Sequence, residues 1–243
     1  MQRAIAILAL ASNALPGVNA QSLISLKAGL LTYAEGRVQD VGGVSLVPRS
    51  GAFHVQTGQT LVTRRGRAEL LLGPGVFLRL AEESAIVMES DSLVDTRVRL
   101  ERGTAIVDAV EVVKGNLVRI VVGNSIAEIR QPGIFRFDAN ANEARVYDGK
   151  IDVAREGSSP VALKKGRLLA LTAGAKPQSF ERGDIDRLHR WSARRSLAVA
   201  QSNLVSARTT HGFGWKRFAR SWIFSLYANS GAARSRPAPV PSG

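Results

Sequence analysis

The 243-residue sequence contains no cysteine. Disulfides, thiolate metal sites, cysteine nucleophiles and a lipid anchor on cysteine are therefore excluded, and the fold must hold by packing. Histidine is scarce: His54, His189 and His211 lie in separate segments, with no paired spacing of the HExxH kind. No stretch reaches the about 18 uninterrupted apolar residues of a membrane span. No GxSxG elbow is present, and the one conspicuous glycine loop, Gly73-Pro74-Gly75, lacks the Lys-Ser/Thr of a phosphate loop. Acids run out as well: none follows Asp186.

What is present begins with charge. Lys and Arg number 33 against 20 Asp and Glu, a net +13. That balance favours anionic partners: nucleic acid, acidic lipid or an envelope polymer. The first twenty residues narrow the choice. Arg3, the short apolar run AIAILALA and the small-x-small step Val18-Asn19-Ala20 have the pattern of a secretory signal peptide over residues 1–20. Cleavage after Ala20 places the chain in the periplasm or outside the cell, which argues against nucleic acid as a partner despite the basic pI.

From about Leu30 to Leu171, short apolar-alternating stretches are broken by glycines. This is the pattern of an all-β domain, spanning 21–180, and a sandwich, a roll and a β-helix-like stack all fit it. LTYAEGRVQ, VRLERGTAIV, ARVYDGKIDV and VALKKGRLLA share a frame on Gly36, Gly103, Gly149 and Gly166. Read as two-residue hairpins, they set Tyr33 against Val38, Leu100 against Ala105, Val146 against Ile151 and Leu163 against Leu168. Asp148-Gly149 gives the strongest turn signal of the four. ELLLGPGVFLRL reads as a hairpin with a three-residue turn, Leu72 facing Val76 and Leu70 facing Leu78. Only Ser22–Leu26 hints at helix within this part.

The composition shifts near Arg182. Residues 181–209 read as a helical segment, with Asp184 as N-cap and Asp186 suited to the positive end of the dipole. Ile185, Leu188, Trp191 and Ser192 form one stripe for packing on the β domain. Residues 210–243 are a basic aromatic, then Pro-rich tail, with the composition of a disordered segment. In it Trp215, Lys216, Arg217, Arg220 and Trp222 are the candidate contacts with a membrane or other anionic surface. A C-terminal flap packed on the β domain is the competing role for these aromatics.

No constellation argues for catalysis, and the sequence calls for no cofactor or metal. Glu82-Glu83 adjoin on a turn and point apart, and Asp91 and Asp95 read as solvated turn residues.

The stretch GQTLVTRRGRAELLLGPGVFLRLAEESAIVM resembles the FecR-domain family. Gly58-Gln59, Thr63, Gly66, Arg67-Ala68, Gly73 to Gly75, Leu78 and Ser84 to Ile86 stand at that family's pattern positions. The likeness continues through VRLERGTAIVDA, GIFRFDANANEARVYDGKIDVA and VALKKGRLLAL, so it covers about residues 30–175. DRLHRWSARRS looks like the region after this domain in FecR-like proteins of acidobacteria. Two departures stand out. Gln59 replaces the usual acid, and a signal peptide stands where FecR-type sensors have a cytoplasmic anti-sigma segment and a membrane span. The resemblance implies an extracytoplasmic β domain that senses or binds an envelope protein or polymer, with no catalytic residues. An enzyme acting on envelope polysaccharide and a purely structural envelope protein are the alternatives.

Overall fold

A computed structural model describes residues 27–40, 42–46, 53–183 and 185–209, the side chains only as far as 202. The expected signal peptide, the helical hint at Ser22–Leu26, the cap at Asp184 and the tail residues Trp215, Lys216, Arg217, Arg220 and Trp222 lie outside them.

Twelve strands and one helix follow in order: β1 (Leu30–Asp40), β2 (Thr60–Gly73), β3 (Val76–Leu80), β4 (Ala85–Ser92), β5 (Asp95–Arg102) and β6 (Thr104–Ala109). After them come β7 (Leu117–Val122), β8 (Ser125–Asp138), β9 (Glu143–Arg155), β10 (Ser158–Lys164), β11 (Arg167–Ala170), β12 (Gln178–Ser179) and α1 (Arg187–Thr209). The all-β expectation with a C-terminal helix holds.

Pairing runs β8-β6-β3-β2-β4-β5-β7 and returns to β8, which closes a seven-strand ring. The ring is flattened because two strand pairs turn corners. On β2, Ala68–Gly73 pairs with β3, whereas Thr60–Val62 pairs with β4. On β8, Gly133–Asp138 pairs with β6, whereas Ser125–Glu128 pairs with β7. β1 follows β2, and β9 follows β8, through the same bends. One face of the body is therefore β3-β6 between half-strands, and the opposite face is β4-β5-β7. Side chains from both meet in one core that includes Leu70, Leu78, Val107, Phe135, Met88, Leu100, Ile120 and Val153. The result is a seven-strand, barrel-like sheet with extra strands, so the β-helix-like stack left open by the sequence is not the one adopted. The parallel β5·β7 contact is the one departure from antiparallel pairing within the ring.

The glycine frame has a different meaning from the one its sequence suggests. Gly36 lies inside β1 opposite Gly66, and Gly149 lies inside β9 near Gly133. Neither begins a hairpin. Gly103 joins β5 to β6, which pair with other strands and not with each other. Gly166 separates β10 and β11, which lie end to end along β9. The physical reason is that positive φ serves a bulge or a corner as well as a tight turn. Gly36 has φ 70° and Gly149 has φ 85°. At the first corner a Cβ on Gly66 would sit 2.4 Å from the Glu35 carbonyl oxygen, and at the second a Cβ on Gly133 would sit 2.1 Å from that of Asp148. The backbones cross there too closely for any side chain.

The Gly73-Pro74-Gly75 segment does make a hairpin, with Leu70 opposite Leu78 as expected. Its turn is tighter than the three residues expected. Pro74 and Gly75 form it, Gly75 at φ 69°, and Leu72 is displaced by a bulge so that Val76 pairs with Gly73.

Gly133→Ala should cost more than 2 kcal/mol, because the new methyl forces two strands apart at a corner. Gly174→Ala, at a positive-φ loop glycine with nothing within 4 Å of the added Cβ, supplies the reference for backbone cost alone. Urea unfolding followed by circular dichroism should show the larger loss at Gly133.

Candidate functional site

The two outer faces of the body are treated differently. Across β4, β5, β7, β8 and β9 runs a ladder of alternating charges. Arg99 pairs with Glu89, Arg119 with both Asp95 and Glu128, and Arg130 with both Glu128 and Asp152. These side chains are partly exposed, so each pair contributes about 0–1 kcal/mol and keeps the face solvated. The opposite face, over β2, β3 and β6, is covered by α1.

Three strands each place one charged residue on the covered face: Glu69 on β2, Arg79 on β3 and Asp108 on β6. Each sits in an otherwise apolar stretch, ELLL, VFLRL and AIVDA, at a position whose neighbours point into the core. Arg79 and Glu69 are 0% exposed and Asp108 is 3% exposed. Arg79 Nε donates to Glu69 Oε2 at 2.7 Å, and Nη1 donates to Asp108 Oδ2 at 2.8 Å. The helix completes the cluster. Arg79 Nη1 also lies 2.8 Å from Ser192 Oγ and 2.8 Å from Ser196 Oγ, and the Ser196 hydroxyl donates to Asp108. Arg195 Nη2 donates to Glu69 Oε1 at 2.8 Å, while Thr32 Oγ1 on β1 donates to the same oxygen at 3.0 Å. Two cations and two carboxylates thus close a neutral cluster across three strands and one helix. Burial pushes the Glu69 carboxyl up, but Arg195 and Arg79 outweigh it and hold the group below its ordinary value. Burial likewise disfavours charge on Arg79, and Asp108 and Glu69 more than restore it.

Apolar contacts flank the ions. Leu188 and Trp191 pack on Ile106, Ile134 and Tyr147, with Ile185 and Phe180 at the rim. The expected stripe is therefore real, and Ser192 belongs to it as a polar partner of Arg79. The Arg195 guanidinium lies 3.9 Å from the Tyr33 ring centroid.

The helix starts two residues later than the Asp184 cap implies. Asp186 is the N-cap: its Oδ1 accepts from the His189 amide at 2.9 Å, and its carboxylate is paired with Arg136 on β8. Burial raises the Asp186 pKa, but these hydrogen bonds hold it below the ordinary value. His189 is 6% exposed and stacks edge-on against Tyr147 at 4.5 Å between ring centroids.

One sequence expectation is overturned here. Asp91 is not a solvated turn residue but is 8% exposed, accepting from Lys27 Nζ at 3.1 Å and Thr57 Oγ1 at 3.0 Å. It pins the entry to β1. Asp95 is tied to Arg97 and Arg119. Among the described residues no group of three or more His, Asp or Glu could hold a metal ion, and no helix is long and apolar enough to cross a membrane.

Sequence reasoning missed the Glu69–Arg79–Asp108 cluster. The available signal was a single charge at the outward parity of three apolar strands, together with Ser192, Arg195 and Ser196 on one side of the helical segment.

No family model matches the chain, and neither does any curated protein. Among solved structures, two crystal structures of a "putative anti-sigma factor" from Parabacteroides distasonis ATCC 8503 are similar to it, at 14% and 13% identity. Each alignment covers 50% of this chain and 59% of that one, with a TM-score of 0.41. A likeness at that level carries no functional conclusion. The FecR-domain resemblance accordingly rests on the residues quoted for it.

Burial holds the His189 pKa below the ordinary 6.5, against the attraction of Asp186. The unfolded chain therefore binds this proton more readily, and stability falls as pH drops below about 6.5. His189→Gln should flatten the stability slope below that pH, as measured by urea midpoints between pH 7.5 and 5. An unchanged slope would mean that His189 does not titrate on unfolding.

Proposed function

We propose that this chain is an exported, non-enzymatic FecR-like module that works by binding an envelope protein or polymer in sensing or signalling. One observation carries the reading. The buried Glu69, Arg79 and Asp108 and the partly buried Arg195 make their ion pairs with one another, with further contacts to Ser192 and Ser196 on α1 and Thr32 on β1, so both carboxylates are already engaged by arginine. The molecule's ionic chemistry is spent on fastening a helix to a sheet.

Supporting observations come from the edges and the sequence. β10 pairs with β9 alone, which leaves an edge that a partner strand can join. Pro160 and Lys164 on that strand limit uncontrolled pairing. The N-terminal pattern supports export to the periplasm or beyond, and the basic aromatic tail supports peripheral contact with a membrane. An enzyme acting on envelope polysaccharide would need carboxylates in an open cleft, whereas Glu69 and Asp108 share Arg79 beneath a helix.

The test is expression of the tagged full chain in a Gram-negative host, followed by fractionation, N-terminal mass spectrometry and crosslinking in intact envelopes. The reading expects a mature chain beginning at Gln21 in the periplasmic or envelope fraction. It also expects a discrete crosslinked species that the untagged chain competes away. An unprocessed cytosolic chain, or hydrolysis of envelope polysaccharide by the purified protein, contradicts it.

A further inference from the structure

The solvent side of α1 carries Arg187, Arg190 and Arg194 on one stripe, continued by Leu197 and Gln201. All five are exposed, Leu197 at 41%. The spacing of three, four, three and four residues keeps them on one exposed stripe beside the packed stripe of Leu188, Trp191, Ser192 and Arg195. Among the described residues other arginines also lack a carboxylate partner, including Arg64, Arg65 and Arg102, but Arg187, Arg190 and Arg194 are gathered on one helical stripe. None of these three arginines has a carboxylate within 4.0 Å among the described residues; Arg190 donates only to the Ile185 carbonyl, at 2.8 Å.

Their placement also works against the helix. Its first turn holds no acid and begins with Arg187, followed by Arg190. Cations at the positive end of the helix dipole are unfavourable, and like charges three and four residues apart repel. Neither fold nor solubility calls for that arrangement on a chain already at +13. Even with the Asp186 carboxylate at the cap, three exposed like charges on one stripe, without an ion-pair partner among the described residues, mark a surface suited to an anionic contact.

The chemistry that would recognise the stripe is a dense array of anions. We infer that the Arg187–Arg190–Arg194 face of α1 is a contact surface for anionic phospholipid, lying parallel to the bilayer with guanidinium groups on lipid phosphates. An acidic protein would satisfy the charges equally. Lipid is favoured because the stripe ends in exposed Leu197 and because the chain continues, without a single acid, into WKRFARSWIF. Aromatics interleaved with cations suit the headgroup region, where Trp and Tyr accumulate. The inference extends the proposed membrane contact from the tail onto the folded body, and rests on that part of the functional reading.

The test is sedimentation of the full chain with vesicles of phosphatidylethanolamine and phosphatidylglycerol, and with neutral phosphatidylcholine vesicles. The parent should bind the anionic vesicles and not the neutral ones. Each arginine near an anionic surface contributes about a fivefold gain, so Arg187→Gln/Arg190→Gln/Arg194→Gln should weaken binding on the order of 100-fold at low salt. The corresponding triple lysine variant should bind within a fewfold of the parent, which separates charge from folding. Removing exposed charge at a body corner, Arg64→Gln/Arg65→Gln, should have little effect. Equal losses from the corner and helix variants would reduce the effect to net charge and overturn the inference. So would unchanged binding by the helix variant, or a parent that binds polyglutamate but not anionic vesicles. Vesicles report contact wherever a cell places the chain, so failure here leaves export and partner binding to their own experiment.

Discussion

A fully buried arginine sets the terms for the rest of the molecule. Arg79 has no water to solvate it, so its charge persists only with carboxylates in contact, and Glu69 and Asp108 supply them from the strands on either side. Those carboxylates in turn cannot stay buried with one cation between them. Arg195 from α1 brings the count to neutrality, and Ser192 and Ser196 add hydroxyl contacts to Arg79 Nη1, leaving Nη2 without a hydrogen-bond partner among the described residues. Removing one member of such a cluster typically costs about 3–5 kcal/mol, because it strands the others in a low-dielectric site. The helix is therefore required by the sheet's own charges, beyond its apolar contacts. Register follows as well, since a shift of α1 by one residue would take Arg195 off Glu69.

The frame that holds the cluster depends on backbone geometry. Long strands change faces at two corners, where Gly36 meets Gly66 and Gly133 meets Gly149. Bending there lets β2 and β8 each serve both faces and closes the ring without a disulfide. Closure leaves few free edges. One broad face is neutralised by a charge ladder and the other is sealed by α1, so the helix's outer side becomes the molecule's distinctive exposed surface.

Much of this was legible in the sequence. Alternating apolar residues gave the all-β body, the change of composition near Arg182 gave the helix, and Leu188, Trp191 and Ser192 gave its packing side. Strand pairing was not legible. Asp148-Gly149 has the composition of a type I′ turn, yet its positive φ serves a bend, and only the distant Gly133 decides between them. The cluster was hidden for a similar reason. Glu69, Arg79 and Asp108 look like ordinary outward residues until the order β2-β3-β6 brings them side by side and a helix more than a hundred positions along the chain from Glu69 and Arg79 closes over them. The cap at Asp186 rather than Asp184 followed from Arg136, a strand residue no local pattern could connect to it.

The central claim is that ionic contacts, and not apolar burial alone, fasten α1 to the sheet. A double-mutant cycle on Glu69→Gln and Arg195→Gln, read by urea unfolding at pH 7, measures this most directly. The account predicts a coupling between the two sites of about 1–3 kcal/mol. Additive effects within about 0.3 kcal/mol, the tolerance for independent sites, would contradict it.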